Sequence, residues 1–247
     1  MKLATVSRIN AQLRHDPRTV ALVLVVPALL LTLLYFVFVD VQVPPGAPAP
    51  FDRIGSIMLA VLPMLMMFII TSVVMLRERT MGTLERLLTT PVSRWNLIGS
   101  YALVFSLLAL AQAVILEALI LGTFGVEIEG SWWTLLLVAV GDALLGVSFG
   151  LLASSFATTE FQAVQFMPVF IGPQLLLCGL FAPVDSMPDV LEVIARCLPM
   201  TWAADVVNTV IEDDALAWGE WIRLGGLFVV SLAVLFLASL TMKRTVK

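Results

Sequence analysis

Long apolar stretches alternate with short polar ones along the chain, and the alternation occurs six times. A hydrocarbon core about 30 Å thick is crossed by about 20 apolar residues in helical form. Because lipid offers no partner to an open backbone, each stretch is predicted to be an α-helix. The predicted membrane spans cover residues 19–39, 54–76, 97–124, 132–156, 163–181 and 222–241.

Two segments outside these spans also carry apolar side chains. Residues 3–18 place Leu3, Val6, Ile9 and Leu13 among basic residues, which predicts an amphipathic helix in the membrane interface. Residues 182–211 are apolar although they lie between spans. We predict two short helices there, separated at Pro199, that dip back into the outer leaflet.

The fourth predicted span contains two glycines four residues apart, Gly146 and Gly150. This spacing allows helix backbones to approach each other closely in membranes. Chance occurrence in a glycine-rich span is the alternative explanation.

Composition agrees with a membrane protein. Of 247 residues, 60% are hydrophobic and 13% are charged, whereas soluble domains carry about 25% charged residues. We therefore predict one all-α membrane domain over residues 1–247, in contact with lipid and not with nucleic acid.

The first apolar run is too long for a cleavable signal peptide. One histidine (His15) and two cysteines (Cys178 and Cys197) argue against a metal site. The two cysteines are expected to be free thiols, with a disulfide as the alternative.

Basic residues are concentrated on one side of the predicted topology. That side holds most of the 14 lysines and arginines, namely Lys2, Arg8, Arg14, Arg18, Arg77, Arg79, Arg86, Arg94, Lys243, Arg244 and Lys247. The other side holds only Arg53, Arg196 and Arg223, together with most of the acidic residues. Positive charge favours the cytoplasmic side, so both termini of this multi-pass chain are predicted to be cytoplasmic.

The chain contains no phosphate-binding loop of the G-x-x-x-x-G-K-[ST] type, and so no ATPase site of that kind. We also see no histidine within a span. These observations favour a transport protein over an intramembrane enzyme.

The most informative motif lies between the second and third spans. It reads Arg-Glu-Arg-Thr-Met-Gly-Thr-Leu-Glu-Arg-Leu-Leu-Thr-Thr-Pro over residues 77–91. This run resembles the first cytoplasmic loop of ABC-2 type permeases, the membrane subunits of ATP-binding-cassette exporters. Two positions depart from the usual family pattern, because Thr80 stands where a second Glu is common and Ser100 where Lys is common.

A second segment supports the same resemblance. The run from Gly179 through Pro183 to Pro188, followed by Leu198-Pro199-Met200-Thr201-Trp202, is similar to the family's outer re-entrant segment. The resemblance implies that Gly179, Pro183, Pro188 and Pro199 form an outer gate.

The resemblance implies a type V-like exporter fold and a division of labour between subunits. Residues 83–92 would be the coupling helix that docks into an ABC ATP-binding subunit. The family's coupling motif falls here on Glu78, Gly82, Thr83, Leu84, Glu85 and Pro91. ATP and Mg²⁺ would be bound by that partner and no cofactor by this chain. A second permease, identical or a paralogue, would complete the translocator in a bacterial cytoplasmic (inner) membrane.

The implied substrate is hydrophobic or amphipathic, such as a drug, an antibiotic or a lipid. The family's path nominates Met64, Met67 and Phe68 of the second span with Phe166 and Phe170 of the fifth. Ordinary packing or lipid contact is the alternative for each of them. An ion- or proton-coupled carrier is the alternative function.

Two carboxyl groups fall within predicted spans, Glu117 in the third and Asp142 in the fourth. A carboxyl in hydrocarbon is costly unless it is neutral, paired or facing water. One hypothesis places both in the substrate path, where they would attract cations or carry protons. The other, which we favour, makes them neutral or hydrogen-bonded packing residues.

Overall fold

The computed structural model describes residues 3–41, 49–81 and 94–241, and these residues form helices joined by short turns. Five of the described helices are long and apolar enough to cross a membrane. The chain is therefore a multi-pass, all-helical membrane protein over the residues described. The arrangement departs from the predicted six uniform helices in one place, the fifth span.

Helix α1 (Leu3–Arg14) and helix α2 (Pro17–Phe38) are separated by a sharp break at Asp16. Asp16 caps α2, because its carboxylate accepts hydrogen bonds from the Thr19 backbone N–H (3.2 Å) and hydroxyl (2.6 Å). Pro17 occupies the first turn, where its missing N–H removes no helical bond. The amphipathic segment predicted over residues 3–18 thus contains a separate helix, and it buries Ile9.

Helices α3 (Pro50–Thr80), α4 (Arg94–Glu117) and α5 (Trp132–Phe156) form the centre of the molecule. The bounds of α5 are those predicted, whereas α3 is longer than residues 54–76 at both ends. Helix α4 continues into a π-helical turn, Ala118–Thr123. The largest hydrophobic core lies near one end of the bundle. It contains side chains of α3, α5, α10 and α11. A second core joins α1 to α3 and α4 near the other end.

The fifth predicted span, 163–181, is not one helix. It contains three short helices, α6 (Glu160–Gln165), α7 (Met167–Phe170) and α8 (Gly172–Leu177). Pro168 and Pro173 lack the N–H that would bond back to the preceding turn, so the helix breaks near each of them. The prediction of one uninterrupted helix is not confirmed, because hydropathy reports apolar length and not the continuity of backbone hydrogen bonds.

Two further helices precede the last span. Helix α9 (Asp189–Arg196) and helix α10 (Pro199–Glu212) are separated immediately before Pro199, as predicted. Helix α11 (Trp218–Thr241) begins a few residues earlier than the predicted 222. Helix α10 packs against α3, α5 and α11 and buries Met200, Val206 and Val207.

Candidate functional site

The end of α3 is the part of the coupling motif that the structure describes. Three consecutive charged residues there bind three different neighbours. Arg77 donates from Nε and Nη2 to the two carboxylate oxygens of Glu160 at 2.8 and 3.1 Å. Arg79 donates from Nη1 to the backbone carbonyl of Ser154 in α5.

Glu78, the third of these residues, points into the protein. Its Oε1 accepts a hydrogen bond from Arg8 Nη2 of α1 at 3.0 Å, and only 5% of Glu78 is exposed. The same Arg8 nitrogen donates to the hydroxyl of Tyr101 in α4 at 3.2 Å. The Arg8–Glu78–Tyr101 cluster therefore joins α1, α3 and α4. We call the end of the molecule that carries Arg8, Arg77 and Arg79 the basic end.

Sequence reasoning placed Glu78 among the coupling residues but did not foresee its partners. Arg8 and Glu160 lie 70 and 83 residues away from the positions they bind. The sequence indicated suitable partners only in general terms, through the basic residues of α1 and the polar residues at the start of α6. Gly82, Thr83, Leu84, Glu85 and Pro91 lie outside the described residues, so their role in coupling remains a prediction.

The residues nominated for the substrate path divide into two groups. Met64, Met67 and Phe68 are fully buried within the chain. The centroid of the Phe170 ring lies 6.1 Å from that of Phe68 and 6.5 Å from that of Phe166. Phe166 and Phe170 are partly buried. The structure thus brings together the nominated aromatic rings of α3, of α7 and of Phe166, which lies between α6 and α7. Lining of a path by these residues remains a prediction.

Glu117 and Asp142 are both enclosed within the apolar helices. Asp142 has no exposed surface, and neither of its oxygens has a hydrogen-bond partner among the described residues. Glu117 is 5% exposed and stands immediately before the π-helical turn of α4, and its Oε1 has no partner in the same part of the chain. Single π-helical turns occur often at functional sites. No feature of the sequence indicated this turn.

The four residues nominated for the outer gate lie at the other end of the molecule. Gly179 has φ +90°, in the left-handed region that favours glycine, and its carbonyl accepts a hydrogen bond from Arg53 at 3.1 Å. Pro183 and Pro188 directly precede the short helices 184–186 and α9, and Pro199 begins α10. Each proline therefore marks a helix start. Cys178 is buried, Cys197 is exposed, and both are free thiols.

Comparison with known proteins agrees with the motif and the helical architecture. The family model of the ABC-2 type transporters matches residues 3–211. The probable multidrug ABC transporter permease YbhR of Escherichia coli is 30% identical over 174 residues, which cover 70% of this chain and 47% of that protein. The linearmycin resistance permease protein LnrN of Bacillus subtilis is 27% identical over 169 residues, covering 68% of this chain and 43% of that protein.

The chain spans about half the length of the curated relatives it matches. The probable multidrug permease YbhS of Escherichia coli shows the same proportion, with 25% identity over 170 residues and 45% of that protein covered. The family model nevertheless covers most of this chain, from α1 to the end of α10. The chain is therefore a multi-pass membrane protein of the ABC-2 type transporter family.

Proposed function

We propose that this chain is one permease half of an exporter that is powered by a separate ATP-binding subunit. The observation that carries the proposal is the anchoring of the end of α3. Arg77 binds Glu160 at the start of α6, Glu78 binds Arg8 of α1, and Arg79 binds the Ser154 carbonyl of α5. These contacts lie directly before the central residues of the coupling motif. A force applied to the residues that follow would reach three other elements through these contacts.

The anchoring supports a division of roles between two glutamates of the motif. Glu78 is buried and bound within the chain, so we assign it the positioning of α3. Glu85 follows in the motif and is the residue we assign to contact with the ATP-binding subunit. ATP and Mg²⁺ would be held by that subunit, and ATP hydrolysis would take place there.

Contacts at both ends of α3 support six membrane crossings. Arg77 binds Glu160 just before the segment 163–181, and Arg53, near the start of α3, binds the Gly179 carbonyl near the segment's end. The two positions on α3 are 24 residues apart, about 36 Å along a helix. The segment therefore runs antiparallel to α3 over a membrane thickness, although it is broken into short helices. We propose a type V-like topology, with the basic end and both termini on the cytoplasmic side of a bacterial inner membrane.

The relatives support the substrate class. Two of them are named as probable multidrug transporter permeases, and a third is named as a linearmycin resistance permease. We propose a hydrophobic or amphipathic substrate, such as a drug, an antibiotic or a lipid. A path for such a substrate would lie between this chain and a second permease, identical or a paralogue.

Transport in inside-out membrane vesicles tests the proposal. The chain is expressed with a candidate ATP-binding subunit, and uptake of a fluorescent amphipathic cation is followed. We expect co-purification of the two subunits and uptake that requires hydrolysable ATP. Uptake without the ATP-binding subunit, or failure of the two subunits to associate, would refute the proposal.

One observation favours a proton-coupled carrier as the second candidate function. Glu117 and Asp142 are carboxyl groups within the apolar helices that have unpartnered oxygens. Intramembrane carboxyl groups carry protons in many transporters. This function predicts uptake driven by an imposed pH gradient in vesicles without ATP, and loss of that uptake in a Glu117→Gln, Asp142→Asn double variant.

A further inference from the structure

A polar cavity of about 330 Å³ lies at the end of the molecule opposite the basic end. Its walls come from the start of α3, the turn after α8, the end of α9, helix α10 and the start of α11. Six charged residues line it, namely Arg53, Arg196, Arg223, Asp185, Asp205 and Glu212. The volume is at the lower end of the range for small-molecule sites.

Two of the three arginines in the cavity are already paired with carboxylates. Arg196 lies 2.7 Å from Asp185 and 2.8 Å from Glu192. Arg223 lies 3.3 Å from Asp205 and 3.6 Å from Glu220. Of these four carboxylates only Asp185 and Asp205 line the cavity. The pairing leaves neither Arg196 nor Arg223 as a free cation for a purely anionic ligand.

The remaining two charges face the same cavity without being paired to each other. Among the described residues, Arg53 gives one hydrogen bond, from Nη2 to the Gly179 carbonyl, and no carboxylate lies within 4.0 Å of its guanidinium. Glu212 likewise has no basic side chain within 4.0 Å in the part of the chain that the structure describes. Within residues 3–41, 49–81 and 94–241, a cation and an anion without ion-pair partners thus line one cavity.

Three tryptophans near this cavity indicate that it lies at the depth of the lipid headgroups. Trp218 and Trp221 at the start of α11 are exposed, and Trp221 precedes Arg223 by two residues. Trp202 of α10 donates from its indole N–H to the Arg196 carbonyl at 2.7 Å. Tryptophan is enriched at membrane–water interfaces, where the ring contacts lipid and the N–H contacts polar groups.

We propose that this cavity binds a zwitterionic phosphate ester of the phosphoethanolamine class. The phosphate would sit on the free donors of Arg53, whose planar guanidinium suits an oxyanion. The ammonium would sit beside Glu212, whose carboxylate has no basic partner among the described residues. The same chemistry is offered by a lipid headgroup and by the free compound. The inference goes beyond the proposed function and does not depend on an ATP-binding subunit.

Lipid retention by the purified full chain tests the proposal. The chain is mixed in detergent with equal amounts of phosphatidylethanolamine, phosphatidylglycerol and diacylglycerol of identical acyl chains, and retained lipids are counted by native mass spectrometry. We expect preferential retention of phosphatidylethanolamine. Arg53→Gln should lower that retention about tenfold, the effect of losing a charge-assisted contact. Glu212→Gln should remove the preference over phosphatidylglycerol.

Matched variants separate recognition from general effects of charge. Arg18 and Glu127 are exposed and do not line the cavity, so Arg18→Gln and Glu127→Gln should leave lipid retention unchanged. Glu212→Lys should reverse the preference in favour of phosphatidylglycerol. Because a misfolded chain would lose preference and not reverse it, this variant also controls for folding.

Soluble O-phosphoethanolamine distinguishes the two sources of the ligand. Displacement of the bound lipid by the soluble compound would support recognition of the free headgroup. Retention of the lipid in its presence would support a lipid ligand held also by its acyl chains. Equal retention of the two phospholipids by the natural chain, or unchanged retention in both the Arg53 and Glu212 variants, would overturn the proposal.

Discussion

Gly150 of α5 lies directly against Phe68 of α3, where an added Cβ would stand 2.7 Å from the Phe68 carbonyl oxygen. Gly146, one turn earlier, faces the Met64 carbonyl in the same way. The pair therefore joins α5 to α3 within one chain, with backbone against backbone. Tight contact of this kind stabilises helix pairs in lipid, where apolar side chains alone provide little driving force.

The Gly150 contact predicts a clear effect of one added methyl group. Gly150→Ala should lower the free energy of unfolding by about 1–3 kcal/mol, because the backbone of α3 cannot yield as a flexible side chain would. Thermal unfolding in detergent measures the change. Gly225→Ala in α11 is the control, since nothing lies within 4 Å of the added atom. An equal loss of stability in both variants would contradict the contact.

The buried pair of Arg8 and Glu78 should contribute more stability than the exposed pair of Arg77 and Glu160. Glu78→Gln weakens a contact inside the protein, and because Arg8 is partly solvated we expect a loss of about 1–3 kcal/mol. Glu160→Gln weakens a pair that is half exposed on both sides, where about 0–1 kcal/mol is typical. Thermal unfolding of the two variants gives the comparison. A larger effect at Glu160 would contradict this ranking.

The cap of α2 predicts a pH dependence of stability in the acid range. Hydrogen bonds from the Thr19 hydroxyl and backbone N–H lower the pKa of Asp16 below its ordinary value of 3.8. Because the pKa is lower in the folded state than in the unfolded chain, the ionised carboxylate stabilises the folded state at pH values above 3.8. The contribution is lost as the pH falls from there through the lower pKa of the folded state. The difference in melting temperature between the natural chain and Asp16→Asn, measured from pH 6 down to about pH 3, should shrink in this window.

Asp142 provides a test of its two interpretations. Because its carboxyl is enclosed and unpartnered, an ionised group there would be costly. We expect Asp142→Asn to leave the melting temperature unchanged, and Asp142→Leu to match or raise it. A large loss of stability in the asparagine variant would show that the carboxylate charge is needed. Unchanged transport in the same variant would support a packing role, and loss of transport at unchanged stability a functional one.

Coupling to ATP hydrolysis can be tested at Glu85. In the vesicle assay, Glu85→Ala should reduce ATP-driven uptake at least tenfold while the chain remains inserted, because the variant removes the carboxylate that we propose pairs with the ATP-binding subunit. Glu127→Ala serves as the control, since it removes an exposed carboxylate elsewhere. Normal uptake and normal substrate-stimulated ATPase activity in the Glu85 variant would contradict the assignment.

The spans with uninterrupted apolar sequence could be predicted from the sequence. Helix α5 has the predicted bounds, and α2 differs from its prediction by two residues at its start and one at its end. The interruptions were harder to foresee. Pro27 and Pro63 lie inside continuous helices, whereas Pro168 and Pro173 accompany breaks. A proline removes the same hydrogen bond in each case, and the packing around it determines whether the helix continues.

The sequence by itself determined the membrane environment, the helical class and the family, because these depend on apolar length and local motif. It also assigned most basic residues to one side of the predicted topology and most acidic residues to the other, because the two kinds of charge lie in different segments between the spans. Only the tertiary structure decided which charged groups are bound and which are free. Glu78 is paired because α1 brings Arg8 to it, and Arg53 and Glu212 share a cavity because the start of α3 lies near the end of α10. Such pairings depend on distances between residues far apart in sequence, which no local pattern encodes.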